Sequence, residues 1–123
     1  MRIKEKVAIV TGAASGIGRA TAQELVNQGV KGIALVDLNA EALETLSAEI
    51  NEAAGKDVSI PCAGDVTDEI FRAQVFDQAT DRYGIVQITV PAAGIFRDRL
   101  AVKIERDSGA ANIYPAEVFR QVL

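Results

Sequence analysis

The sequence predicts an α/β fold in which a parallel sheet is doubly wound, with helices on both faces. Four short apolar runs alternate with longer stretches of helical periodicity, a glycine-rich turn follows the first run, and an acidic residue ends the second. Crossovers between parallel strands are right-handed and cover both faces of a sheet. The alternation therefore predicts a single domain over residues 1–123, with a sheet that stops after its fourth strand.

The glycine-rich turn has the properties of an anion-binding loop. A first strand is predicted from about Lys6 to Thr11, and the segment TGAASGIG overlaps its end. Gly12 lets the chain leave the strand sharply. Gly16 and Gly18 let a ligand and the neighbouring strand approach the first helical turn, whose N–H groups and positive dipole end would face a pyrophosphate. Taken alone, the G-x-x-x-G-x-G spacing fits a simple glycine-rich connection as well.

The second apolar run favours the ligand-binding interpretation. This run, Gly32–Val36, ends in Asp37. The acid lies about 20 residues after the last glycine, where a dinucleotide-binding fold of the Rossmann type places the carboxylate that binds the adenosine ribose. Because a carboxylate repels a 2′-phosphate, and no Lys or Arg stands at Ala13, Ala14, Leu38 or Asn39 to offset that repulsion, we expect NAD(H) over NADP(H).

Two helices are predicted around the second strand. The first runs from the glycine-rich turn to about Gln28, and the second begins after the N-cap Asn39 and runs to about Ala54. Leu38 and Leu43 are spaced to form a hydrophobic staple over that cap. The apolar residues expected to face the core are Ile17, Ala20, Ala22, Leu25 and Val26 in the first helix and Leu43, Leu46, Ile50 and Ala53 in the second.

The second half of the chain continues the alternation. A third strand is predicted at about Val58–Pro61, a third helix up to Tyr83, and a fourth strand at Ile85–Val90. The polar stretch 97–112 is either a loop or a substrate-side insertion, and Pro115 fits the first position of a further helix. The residues expected to face the core from the third helix are Phe71, Val75, Phe76, Ala79 and Tyr83.

Composition excludes several classes of function. The net charge is −4 and no basic block is present, so we expect no nucleic-acid partner. The absence of histidine removes imidazole bases and the commonest metal ligand, and we expect no metal site. Cys62 is the only cysteine, which fits a reducing, cytoplasmic setting and a packed thiol better than a catalytic one. We find no leader and no apolar stretch of membrane-spanning length.

These residues resemble the short-chain dehydrogenase/reductase family, over essentially the whole chain but only over the N-terminal half of such an enzyme. The resemblance implies that NAD is the cofactor, held by the glycine-rich turn and Asp37. Asp65 and Val66 resemble the pair that reads adenine, the carboxylate accepting from the exocyclic amine and the Val66 backbone bonding the ring. The alternative for Asp65 is an ordinary cap before the third helix.

A fourth motif agrees with the family only in part. Pro91–Gly94 reads Pro-Ala-Ala-Gly where the family usually has Asn-Asn-Ala-Gly, so the side-chain amides that support the central sheet are missing. Backbone groups at this position can still line the ribose. The cofactor-binding residues implied by the resemblance are Gly12, Ser15, Gly16, Ile17, Gly18, Asp37, Leu38, Asp65, Val66, Ala92, Ala93 and Gly94.

No catalytic residue is expected in this chain. The family uses a serine on the fifth strand, a Tyr-x-x-x-Lys pair on the next helix and an asparagine on the fourth helix. Tyr83 is followed four residues later by Gln87, and Tyr114 by Val118, so neither tyrosine fits. We expect these groups beyond the chain, with the tyrosine acting as general acid/base on a carbonyl or alcohol substrate.

Three functions remain open from the sequence. The first is the cofactor-binding half of an NAD-dependent oxidoreductase. The second is a non-catalytic module that senses or sequesters a nucleotide, and the third is a truncation product with too little site to bind a ligand well. Because Ile85–Val90 would be an open apolar edge, we expect a homo-oligomer (dimer or tetramer) or completion by a C-terminal segment, and no stable lone monomer.

Overall fold

Strands and helices alternate along the part of the chain that the structure, a computed structural model, describes, residues 3–92. Every predicted element within this range is present, and the bounds differ from the predicted ones by at most two residues. The 97–112 segment and the helix at Pro115 lie outside the described residues. The elements are β1 (Val7–Thr11), α1 (Gly16–Asn27), β2 (Gly32–Asp37), α2 (Ala40–Ala54), β3 (Ser59–Ala63), α3 (Glu69–Tyr83) and β4 (Val86–Pro91).

The four strands form one parallel sheet in the order β3-β2-β1-β4. Val10 in the central strand β1 pairs with Leu35 of β2 on one side and with Val90 of β4 on the other. This order confirms the predicted doubly wound topology. Because all strands run in the same direction, their carboxyl ends lie at one edge of the sheet, and the loops that follow them meet there.

The core consists of two layers, one on each face of the sheet. Strands β1 and β2 are buried on both faces, as expected for central parallel strands. Alternate residues of β1 point to opposite layers: Val10 packs with side chains of α1 and α2, and Ile9 packs with side chains of α3. The helices therefore cover both faces, as the sequence predicts.

Several predicted core positions are wrong. Leu38 is 75% exposed, so it forms no staple over Leu43, which is fully buried. Ile17 is 58% exposed and Ala20 is also exposed, because the inward face of α1 passes instead through Gly18, Ala22 and Leu25. On α2 the predicted Ala53 is exposed and the polar Ser47 is buried in the inward face. On α3, Phe76 is 40% exposed because the buried stripe follows Val75, Ala79 and Tyr83.

The outer side of β3 is covered by polar side chains of α2. The Asn51 carboxamide oxygen accepts from the N–H of Ser59 at 2.8 Å, and the hydroxyl groups of Ser47 and Ser59 lie 2.7 Å apart. Two residues further along, Pro61 has no N–H to offer. Alternate residues of a strand direct their backbone N–H groups to the same edge, so Ser59 and Pro61 occupy two successive positions on the side of β3 that faces away from β2. Neither position has a free N–H group.

Among the described residues, no helix combines the length and the apolar character needed to span a membrane.

Candidate dinucleotide-binding site

The predicted site residues that the structure describes come together at the carboxyl edge of the sheet. Asp37 is the last residue of β2, and the others lie in the segments that follow β1, β2, β3 and β4. Ala92 is buried directly after β4, whose last residue Pro91 pairs with Thr11 at the end of β1. Ala93 and Gly94 lie outside the described residues. The described segments, separated in sequence, are therefore neighbours in space.

Helix α1 begins without a side-chain cap. Ser15 occupies the N-cap position, but its hydroxyl group donates to the carbonyl oxygen of Gly12 at 3.2 Å and makes no bond to the helix. No acidic residue lies in the first turn. The first N–H groups of a helix have no intrahelical acceptor, and they carry the positive end of its dipole. The start of α1 is therefore electrostatically suited to an anion.

The glycines of the turn have three different functions. Gly12 has φ +69°, a left-handed conformation that allows the chain to leave β1 sharply. A Cβ atom at Gly18 would overlap the carbonyl oxygen of Gly12, so this glycine makes room for the turn. A Cβ atom at Gly16 would meet no atom within 4 Å. Packing therefore does not demand a glycine at position 16, and the space beside it is open to a ligand.

Asp37 connects three of the loops. Its carboxylate accepts from the N–H of Ala14 at 3.1 Å and from the N–H of Asn39 at 3.2 Å, each on a different oxygen. Its main-chain carbonyl accepts from the N–H of Gly64 at 3.0 Å. Each carboxylate oxygen keeps further acceptor capacity, since an ionised carboxylate has about four lone-pair sites. The carboxylate is thus held in place and can accept additional hydrogen bonds.

Asp65 does not cap α3. Asp68 is the N-cap, and its carboxylate accepts from the N–H groups of Ile70 and Phe71. The carboxylate of Asp65 instead accepts from the backbone N–H of Thr67 at 2.9 Å and from its hydroxyl group at 2.7 Å. These two bonds lower the pKa of the Asp65 carboxyl group below its usual value. The cap alternative for Asp65 is therefore wrong.

Two residues that hold this loop, one within it and one in α3, were not identified from the sequence. Thr67 binds Asp65, and the Arg72 guanidinium donates to the carbonyl oxygen of Val66 at 2.7 Å. Arg72 lies one helical turn into α3, and from the sequence an arginine at such a position is predicted to be an ordinary exposed residue. Thr67 is a small polar residue two positions after an aspartate, a spacing typical of a local side-chain to backbone turn, and this signal could have identified it.

Cys62 and Tyr83 make their side-chain hydrogen bonds to groups outside this set of residues, to Gln78 and to the carbonyl oxygen of Asp57. Cys62 is buried in β3, as predicted for a packed thiol, and burial raises its pKa to about 11. Tyr83 ends α3, and its ring occupies the space where a Cβ atom of Gly32 would stand, at the start of β2 and thus at the opposite edge of the sheet. Burial also raises the pKa of its hydroxyl group. Within residues 3–92, no cluster of three or more acids and thiols could hold a metal ion.

Comparisons with known proteins agree with this geometry. The short chain dehydrogenase family matches residues 6–121. Sorbitol dehydrogenase of Cereibacter sphaeroides is 38% identical over 108 residues, which are 88% of this chain and 40% of that protein. The chain thus spans well under half the length of this relative.

Solved structures show the same likeness. A short chain dehydrogenase/reductase from Burkholderia phymatum in complex with NAD superposes with a TM-score of 0.66 at 30% identity, over 72% of this chain and 31% of that one. An NAD+-bound xylitol dehydrogenase superposes with a TM-score of 0.63 at 35% identity, over 72% of this chain and 33% of that one. From its sequence match and its fold, the chain belongs to the short chain dehydrogenase family.

Proposed function

We propose that this chain forms the NAD(H)-binding part of an oxidoreductase that transfers a hydride between the nicotinamide and a carbonyl or alcohol substrate. The observation that carries the proposal is the start of α1, which has no side-chain cap and has open space at Gly16, next to the carboxylate of Asp37. Membership of the family, and the NAD named in two similar structures, support the choice of cofactor.

Each part of the cofactor has candidate partners. The N–H groups at the start of α1 would bind the pyrophosphate, and Asp37 would accept from hydroxyl groups of the adenosine ribose. Asp65 and Val66 would bind the adenine. Two exposed apolar side chains, Leu38 and Ile17, belong to the same edge and would provide apolar contact to the bound dinucleotide. Ala92, with Ala93 and Gly94 after it, would line the ribose through backbone groups.

The chemistry would be divided between the cofactor and the protein. The nicotinamide supplies hydride transfer when it is bound, and the residues of this chain bind and orient it. Neither Tyr83 nor Tyr114 has a lysine four residues later, so we propose that the acid/base residues lie in the remainder of a longer enzyme. A cytoplasmic location and a homo-oligomeric state remain predictions, the latter because β4 pairs only with β1 among the described strands.

The cofactor preference is tested at Asp37. We expect Asp37→Ala combined with Leu38→Arg to move the preference from NAD(H) toward NADP(H), by about tenfold or more, because a repelling charge is replaced by an attracting one. Dissociation constants of both dinucleotides, measured by calorimetric titration of the full-length protein, give the ratio directly. Leu38→Arg alone is the matched control and should move the ratio less. Tighter binding of NADP(H) by the unaltered protein would show that the assignment of Asp37 is wrong.

A further inference from the structure

The loop between β3 and α3 contains Asp65 and Val66, which the proposed function assigns to adenine, and hydrogen bonds hold both residues in place. At its start, the N–H of Gly64 donates to the main-chain carbonyl of Asp37 at 3.0 Å. The ring of Phe71 packs so closely against Gly64 that a Cβ atom there would overlap it. The loop therefore starts from a fixed position on the sheet and on α3.

The two oxygens of the Asp65 carboxylate are in different situations. Oδ1 accepts both bonds from Thr67, one from the backbone N–H and one from the hydroxyl group. Oδ2 accepts none from the residues that the structure describes. Asp65 is exposed, so without these bonds its carboxylate would rotate freely and offer either oxygen to a ligand. Thr67 thus commits one oxygen and leaves the other available.

A single peptide unit links this arrangement to α3. The peptide between Val66 and Thr67 donates its N–H to Asp65, and its carbonyl oxygen accepts from the Arg72 guanidinium at 2.7 Å. The side chain of Arg72 is part-buried at this contact. The N–H group and the carbonyl oxygen of this peptide are therefore both hydrogen-bonded. Arg72, a residue of the packed helix α3, thus fixes the orientation of the peptide plane that precedes Thr67.

We propose that Thr67 is a positioning residue that sets the base specificity of the site, by holding Asp65 so that Oδ2 accepts from the exocyclic amine of a 6-aminopurine. The proposal rests on the proposed function, because it assumes that the dinucleotide binds at this edge. A 6-oxopurine carries a carbonyl oxygen in place of the amine, and a fixed carboxylate oxygen would repel it. The loop would then select adenine nucleotides over hypoxanthine nucleotides.

The test compares NAD with nicotinamide hypoxanthine dinucleotide, which differ in the base. We expect the full-length protein to bind NAD about tenfold more tightly, since a hydrogen bond to a charged group is lost in the analogue. Thr67→Val should reduce this preference to about threefold or less, and Thr67→Ala should do the same. Thr67→Ser keeps the hydroxyl group and should keep the preference within about twofold of the parent value. Dissociation constants are measured by calorimetric titration.

The outcomes separate the two proposals. If Thr67→Val and Thr67→Ala weaken binding of both dinucleotides equally and leave the preference unchanged, Thr67 has only a structural role and this inference is overturned. Asp65→Asn provides the reference, because an amide can donate as well as accept and should abolish the preference. A preference that persists in Asp65→Asn overturns both the role of Thr67 and the assignment of Asp65. Failure of the parent protein to bind either dinucleotide would instead contradict the proposed function.

Discussion

The helices α1 and α2 begin at the same edge of the sheet but satisfy their first N–H groups in different ways. In α2 the Asn39 side chain accepts from the N–H of Ala42 at 3.1 Å, and Glu41 places an acid in the first turn. In α1 the hydroxyl group of Ser15 faces back to Gly12, and no acid lies in the first turn. The start of α2 is capped by its own side chains, whereas the start of α1 has no side-chain cap.

This difference shows that capping propensity alone does not decide how a helix begins. Serine and asparagine are about equally good N-cap residues. The hydroxyl group of Ser15 accepts from no helix N–H, and it is turned toward the glycine turn before it, where it donates to the carbonyl oxygen of Gly12. Asn39 follows the end of β2 without a glycine turn, and its side chain accepts from the N–H of Ala42 in α2. The N-terminus of α1 therefore stays uncapped although a good capping residue stands there.

The largest effect is expected at Gly18, where the start of α1 touches the turn. A Cβ atom there would overlap the backbone of Gly12, which cannot move without displacing the end of β1. We expect Gly18→Ala to lower the free energy of unfolding by about 3 kcal/mol or more. Chemical denaturation followed by circular dichroism measures this. Stability equal to that of the parent protein would show that the turn is not rigid.

Gly16 should separate binding from folding. A Cβ atom at this position has free space, so we expect Gly16→Val to change the free energy of unfolding by less than about 1 kcal/mol. The side chain would fill the space in front of the first N–H groups, and NAD affinity should fall by about 100-fold. Titration with NAD, next to a denaturation curve of the same sample, tests both parts. Outright unfolding would mean that this glycine is needed only for the turn.

The smallest effects compare the two N-cap residues directly. Asn39→Ala removes a cap bond and should lower the free energy of unfolding by about 1 kcal/mol. Ser15→Ala removes a hydroxyl group that makes no cap bond and is exposed, so the expected loss is below about 0.5 kcal/mol. Thermal unfolding of the two variants side by side gives the comparison. Equal losses would contradict the difference between the helix starts.

The sequence was sufficient for those parts of the molecule that depend on local pattern. The glycine turn, the position of Asp37 and the cap at Asn39 follow from spacing and side-chain chemistry. The strand order follows from the usual order of a doubly wound sheet. The burial of Cys62 was also predicted correctly. Each of these features depends either on a few neighbouring residues or on the regular alternation of strands and helices along the chain.

Features that depend on particular side-chain contacts between distant elements were not predicted. The contact of Arg72 with the Val66 carbonyl joins a helix to a loop, and no pattern in the sequence specifies it. Ile17 and Leu38 read as core residues because they are apolar, but both lie beyond the strand ends, where nothing in the described chain covers them. Asp65 and Asp68 are equally good caps by type, and only the observed course of the backbone distinguishes them.

The covered outer side of β3 affects where a further strand could join the sheet. The Asn51 side chain and Pro61 leave this side without free donors at two successive outward positions, so a further strand would find no continuous ladder there. On the opposite side, β4 pairs with β1 and with no other strand among the described residues. Among the described strands, extension of the sheet is therefore hindered at β3, while β4 has no neighbour on its outer side. We therefore expect a further strand, from the same polypeptide or from another, to pair with β4.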